Sequence, residues 1–345
     1  MRATLWLRVV GLCVSLSGAV VISGCCCAFP LPLADLLGDD DDDASGQEDD
    51  EGSPWAEFDD DDGPKKTPRK TPKPPPKKRK RTAGRSGRVD LGVAGVPAGT
   101  EQPRATHHWT SIRTKPSRYG LEYRLATTRA ATVRQDYLNY ARRVGHRRVD
   151  ESRFQWAPPR GCHVGLHCVY QQLDRQGRDE MAPIIERFRA RAKRDGLNSL
   201  QIAKIVIAFG QHIHYRIPKK EPFGILPPGL VVAERWGDCD SKALVVAMIL
   251  RELNIDVVLI SSRAHKHTML GVGLPSGGAS FRFRSRRYAF VEMTAKHSPI
   301  GHIKRTLLHP NDWQATALGP PNSKGALAAK LSTTQAKMSG RIRID

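Results

Sequence analysis

The segment Trp236-Gly237-Asp238-Cys239-Asp240-Ser241-Lys242-Ala243 puts a thiol where a loop gives way to an apolar run. The Gly and Asp before it predict a helix that starts at Cys239, with Asp238 as its N-cap. Backbone N–H groups at a helix start and the helix dipole stabilise negative charge, so they lower a thiol's pKa there. An adjacent imidazole lowers it further by ion pairing. His267 opens the apolar segment His267-Thr268-Met269-Leu270-Gly271-Val272, at the mouth of a predicted strand, and His265 rivals it at strand spacing. Glu292, in Tyr288-Ala289-Phe290-Val291-Glu292-Met293-Thr294, falls on a following strand. A carboxylate beside an imidazole fixes its tautomer and supports the imidazolium that pairs with a thiolate. Together the three residue types point to nucleophilic acyl chemistry. Each also has a purely structural use: a lone cysteine packs as a small hydrophobe, and a strand Glu faces solvent.

Positioning them requires a helix packed on a sheet. Helical spacing predicts segments at Thr128–Arg143 and Met181–Arg194, then an almost wholly apolar helix over Leu200–His214 capped by Asn198 or Ser199. Residues 216–236, with four prolines and two glycines, read as a long loop. The Cys239 helix should end near Leu253-Asn254, and β-branched and aromatic residues predict short strands at Asp256–Ser261, Thr268–Leu274 and Arg287–Thr294. Residues 90–125, rich in Gly, Thr, Arg and Pro without periodicity, read as linker or irregular structure, and the stretch from Asn311 as a frayed tail.

The N-terminal part carries address and charge. Arg2 and Arg8 precede an apolar run from Val9 to Ile22, the pattern of an export signal and too short for a comfortable membrane span. Residues 35–62 hold fifteen acidic residues and no Lys or Arg, and residues 65–88 hold twelve basic residues and no Asp or Glu. With that −15 and +12 set aside, the rest of the +20 chain carries +23. The acidic block should be disordered and the basic, Pro-rich block extended. Behind an export signal, Lys77–Arg81 does not read as a nuclear import motif. A basic folded part favours anionic neighbours, such as an envelope polymer or acidic lipid. Nucleic acid is disfavoured, because the basic residues lack the interleaved aromatics of a stacking surface. Cys162 and Cys168, in Cys162-His163-Val164-Gly165-Leu166-His167-Cys168, suit a disulfide in an oxidising compartment, with a metal site as the alternative. His212/His214 and His265/His267 have no Cys or carboxylate spacing to complete a zinc site, so neither a metal nor a cofactor is expected.

The order Cys, His, acid resembles the transglutaminase-like superfamily, and more particularly its bacterial and archaeal branch. The likeness rests on Gly237/Cys239 at a helix start, His267 at a strand start, and Glu292 followed by Thr294. It extends to Leu250-Arg251-Glu252-Leu253-Asn254-Ile255 closing the helix and to Pro299-Ile300-Gly301 after the acid, so it spans about residues 165–305. Many members have Asp where Glu292 stands and an aromatic where Thr268 and Met269 stand. The resemblance implies an α+β, papain-like fold, with the Cys-bearing helix on a small antiparallel sheet that carries the His and the acid. It further implies a hydrolase or acyl transferase for protein or peptide amides, with Cys239, His267 and Glu292 catalytic. Gln211 would then assist the oxyanion, or else serve as a helix-end polar residue. Ile22-Ser23-Gly24-Cys25 looks like the lipobox of bacterial lipoproteins, implying cleavage before Cys25, a lipid on its sulfur and tethering at the envelope; an ordinary signal cleaved near Ala28 or an uncleaved anchor are the alternatives. The expected division is a signal at 1–24, a tether at 25–125, a catalytic domain at 126–310 and a tail at 311–345. A silent binding module for an anionic envelope partner is the competing functional reading.

Overall fold

The computed structural model describes residues 20–23, 87–95, 104–150, 153–162, 165–319, 339–341 and 343–344. Cys25 and most of the acidic and basic blocks lie outside them. Strand β1 (Val20–Ser23) is followed by β2 (Val89–Gly95), β3 (Arg104–Thr110) and β4 (Arg118–Arg124). Helix α1 (Thr127–Arg143) leads to the short strands β5 (Arg147–Arg148) and β6 (Arg153–Trp156). Helices α2 (His167–Gln176), α3 (Arg178–Arg194) and α4 (Ser199–His212) come next. Strand β7 (His214–Tyr215), helix α5 (Pro228–Glu234) and strand β8 (Trp236–Gly237) lead into α6 (Cys239–Glu252). Strands β9 (Val257–Ser262), β10 (His267–Val272), β11 (Ser280–Phe283), β12 (Arg286–Val291) and β13 (Gln314–Ala317) follow. The last described strands are β14 (Ser339–Arg341) and β15 (Arg343–Ile344). The fold is α+β.

Helix α6 is the axis of the core. Its sequence is apolar nearly all round, so it is stable only when covered on every side. All of its residues are buried. One side lies on β9 and β10, and the others meet α3, α4 and α5. Leu244, Val245, Val246, Met248, Ile249 and Leu250 are each 0–1% exposed, worth about 1.5–3 kcal/mol apiece. Contact with α4 is close enough to demand a glycine: a Cβ on Gly210 would sit 2.2 Å from Val246 Cγ2.

Among the described residues the largest sheet runs β14-β13-β9-β10-β12-β11-β15, antiparallel throughout. A second sheet, β2-β4-β3, lies against α3, α4 and α5. It is fastened by Trp109, whose indole N–H donates to the Ile205 carbonyl at 3.2 Å and whose ring packs on Tyr119 and Phe209. His107 of the same strand meets the Val232 carbonyl of α5 at 2.9 Å.

That second sheet corrects the linker expected over 90–125 and moves the start of the folded body upstream of residue 126. Its pattern is a genuine alternation: Ala105, His107 and Trp109 are buried on β3, and Tyr119, Leu121 and Tyr123 on β4. Arg, Thr, Gly and Glu in the intervening positions and a histidine at a buried one hid the period. The tail expected from residue 311 is corrected likewise, since Trp313 is fully buried and β13 pairs with β9. Within the expected 216–236 loop lies α5, which begins at Pro228, where a missing N–H costs nothing. Helix α4 ends at His212, not His214, and the residue that caps it is Asn198, in a capping box with Gln201. Of the expected export segment, Val20–Ser23 is described, and it pairs antiparallel with β6.

Candidate functional site

The first turn of α6 is pinned before any chemistry is considered. Asp238 caps it, accepting from Ser241 N at 2.9 Å and from the Ser241 hydroxyl, which itself accepts from Leu226 N at 2.9 Å. Gly237 is required here, because a Cβ would lie 2.9 Å from Ser241 Cβ. Strand β8 carries this corner alongside β7, pairing Tyr215 with Gly237. Cys239 is therefore the first residue of a rigid, buried helix. Its sulfur has no exposed surface, and its thiol points 3.6 Å from Asp240 Oδ2.

His267 opens β10, opposite Ser262 of β9. Glu292 follows the last residue of β12, the neighbouring antiparallel strand. This pairing brings imidazole and carboxylate together: His267 Nε2 donates to Glu292 Oε2 at 2.8 Å. The other oxygen, Oε1, accepts from Thr294 N at 2.7 Å and from Thr294 Oγ1 at 2.6 Å. Burial by itself would raise the Glu292 pKa. The His267 hydrogen bond and charge, with both Thr294 donors, outweigh it and hold the carboxylate at about 2. His265 meets a different carboxylate. It sits in the turn between β9 and β10, its Nε2 3.1 Å from Asp312 and its ring tilted against Trp313. Trp313 also lies edge-on to His267, at 6.4 Å between centroids.

Two charged groups in this cluster escaped the sequence reading. Asp240 is 1% exposed, and its Oδ1 accepts from Tyr170 Oη and, at 2.8 Å, from Thr268 Oγ1. It thus joins Cys239 to the residue that follows His267 on β10. Burial raises its pKa against the opposing hydrogen bonds from Tyr170, Thr268 and Cys239 and the charge of His267. Lys242 is 1% exposed and one turn along from the cysteine, with its ammonium 3.4 Å from the Gln211 carbonyl. Burial lowers its pKa to about 8, although the charges of Glu292, Cys239 and Asp238 oppose the fall. The signal for both was available: an Asp and a Lys in the first turn of a helix too apolar to have a wet face must lie inside it.

Gln211 turns its side-chain amide to backbone carbonyls, as the helix-end reading expects. Its side-chain nitrogen donates to the carbonyls of Glu292 at 2.8 Å and Ser298 at 3.0 Å, so the amide braces the segment after the acid. Cys162 and Cys168 are joined by a disulfide, with His167 Nε2 3.3 Å from Cys168 Sγ. Two groups of described residues bring potential metal-ligand atoms within 4.8 Å of one another: Cys162, His167 and Cys168, and Asp238, Cys239 and Asp240. In the first both sulfurs are bonded to each other, and in the second Asp238 is engaged as the helix cap.

The geometry makes two expectations. With Glu292 at about 2 in the fold against 4.5 when unpaired, its contribution is complete above pH 4.5 and disappears as pH falls toward 2. Denaturant titrations across that window should lose on the order of 3 kcal/mol in the wild type and clearly less in Glu292→Gln. Removing the buried ammonium with Lys242→Met should withdraw positive charge from the sulfur. Alkylation of Cys239 at pH 7 should then slow by about three- to tenfold; an unchanged rate would show that Lys242 does not act on the thiol.

No protein-family model, no curated protein and no solved structure matches this chain.

Proposed function

We propose that the chain is a cysteine hydrolase of transglutaminase-like kind, papain-like in fold, that cleaves amide bonds of proteins or peptides. The observation that carries the reading is the 2.8 Å bond from His267 Nε2 to a carboxylate held at about 2, in the sheet against the helix that begins with Cys239. Those contacts support the following roles. Glu292 fixes His267 with its proton on Nε2, so Nδ1 is the nitrogen that exchanges a proton with the sulfur. The thiolate attacks the carbonyl carbon, and the oxyanion is met by backbone N–H groups at the start of α6. His267 passes its proton to the departing amine as the C–N bond breaks. Water, deprotonated by the same imidazole, then splits the thioester. An amine in place of water would give a cross-link by the same intermediate. Because the sulfur has no exposed surface, a substrate reaches it only after its surroundings part.

That burial favours a second reading, a silent binding module whose cysteine is a packed thiol that donates to Asp240. Mass spectrometry of envelope proteins incubated with wild type, Cys239→Ala and His267→Ala distinguishes the two. Hydrolysis predicts new termini or deamidated side chains with the wild type alone. Identical products from all three, together with iodoacetamide labelling no faster than in the unfolded chain, would leave the binding module.

Location is part of the proposal: an exported chain, held by lipid on Cys25 at the periplasmic side of a bacterial membrane. The lipobox-like Ile22-Ser23-Gly24-Cys25 supports it, and among the described residues no helix is long and apolar enough to cross a membrane. Cys25→Ser should move the protein from the membrane fraction to the soluble one. Retention on the membrane would refute lipid tethering there.

A further inference from the structure

A cavity of about 490 Å³ lies beside the strand that leads into Cys239, bounded by β3, the end of α4, β7 and β8. Its inner wall is aromatic, formed by Trp109, Phe209 and Trp236. Its rim is cationic. Arg216 and Arg235 both line it and both are exposed. The Arg216 guanidinium lies 4.9 Å from the centroid of the Trp236 ring, and Arg235 Nη1 donates to the Thr106 carbonyl at 3.4 Å. Glu234, the carboxylate of the lining, is engaged by Arg134. Neither rim arginine is paired with a carboxylate among the described residues.

Arg235 is there at a cost. It closes α5 in the left-handed region, at φ 61°, where helices usually place glycine and another residue costs on the order of 1 kcal/mol. A side chain kept where none is preferred conformationally calls for a use. Both arginines are also part of the corner that sets the nucleophile. His214 N donates to the Arg235 carbonyl at 3.0 Å and Arg216 N to the Gly237 carbonyl at 3.1 Å. Cys239 lies four positions after Arg235, a span of at most about 14 Å.

We infer that this cavity is a specificity site for acidic peptide, in which Arg216 and Arg235 receive a substrate carboxylate while an adjoining side chain or backbone lies on the Trp236 wall. Guanidinium forks suit carboxylates, and an aromatic floor lowers the dielectric around the pair. The span places the recognised Asp or Glu within about four residues of the amide that Cys239 attacks. The inference rests on the hydrolase reading for its link to cleavage, but the binding itself does not require a live nucleophile.

The test is therefore run on full-length Cys239→Ala, by fluorescence anisotropy at about 0.15 M salt, with a Glu-containing peptide and its Gln counterpart. The acidic peptide should bind about tenfold or more tightly than the neutral one. Arg216→Gln and Arg235→Gly should each weaken the acidic peptide about fivefold or more and leave the neutral one unchanged. Arg235→Gly should in addition keep or raise thermal stability, which separates lost recognition from a damaged fold. Repeating the titration with the acidic residues of 39–62 changed to Ser removes competition from the chain's own carboxylates. Equal affinity for both peptides in that background would overturn the inference. So would acidic binding indifferent to both arginines, or tighter, arginine-dependent binding of single-stranded DNA, which would mark a phosphate site. A wild type that cleaves without preference for acidic peptides would sink this inference and spare the hydrolase; binding as expected in an inactive wild type would do the reverse.

Discussion

A helix with no wet face dictates most of this structure. Every residue of α6 is buried, including the Asp, Ser and Lys of its first turn and the Arg and Glu of its last. Apolar burial holds the helix in place, and each polar group carried in with it then needs a partner, because an unmet buried charge costs several kcal/mol. The partners are particular residues. Tyr170 and Thr268 serve Asp240, and the Gln211 carbonyl serves Lys242. At the other end, Asp174 and Glu252 serve Arg251. The helix is thus positioned by dispersion and area, and its register by hydrogen bonds that only one axial and rotational setting satisfies.

The same constraint sets the electrostatics around the sulfur. Two carboxylates, Asp238 and Asp240, have oxygens within 4.8 Å of Cys239 Sγ and oppose a thiolate. The helix dipole at the first turn and the Lys242 ammonium favour one. Asp238 is engaged by both Ser241 donors, and burial raises the Asp240 pKa against the hydrogen bonds it accepts. Lys242, lowered to about 8, stays mostly charged at neutral pH. Asp240 therefore bears directly on the sulfur, as the carboxylate that the thiol donates to and whose pKa burial raises.

Much of this was legible in the chain, and the exceptions have physical reasons. Helix α6 was readable because Asp238 caps it and its apolar run is unbroken by a polar face. The strands that place His267 and Glu292 were readable from Thr268, Val272, Tyr288, Phe290 and Val291, whose β-branched and aromatic side chains favour extended chain. The β2-β4-β3 sheet was not, because arginine, glycine and glutamate fill its outward positions and His107 occupies an inward one, so the alternation registers only once burial is known. Gln211 was legible as a helix-end polar residue as well as by likeness, but which two carbonyls its amide would meet is not revealed by sequence spacing. Trp313 belongs to the core although its surroundings in sequence are polar and small. Long-range pairing with β9 decides it, and no local pattern reports such pairing.

The two-strand ribbon of β7 and β8 links the cavity to the nucleophile mechanically as well as by proximity. Its hydrogen bonds tie His214 to Arg235 and Arg216 to Gly237. The next residue after Gly237 is Asp238, whose carboxylate fixes the first turn of α6. Force applied at the arginine rim therefore passes through two backbone bonds and one side-chain cap before it reaches the sulfur. The Gly237 contact with Ser241 leaves that corner no slack, since even a methyl group would collide there. A ligand held by both arginines would accordingly stiffen the turn from which Cys239 projects, and a loosened corner would be felt at the thiol whether or not the cavity were filled.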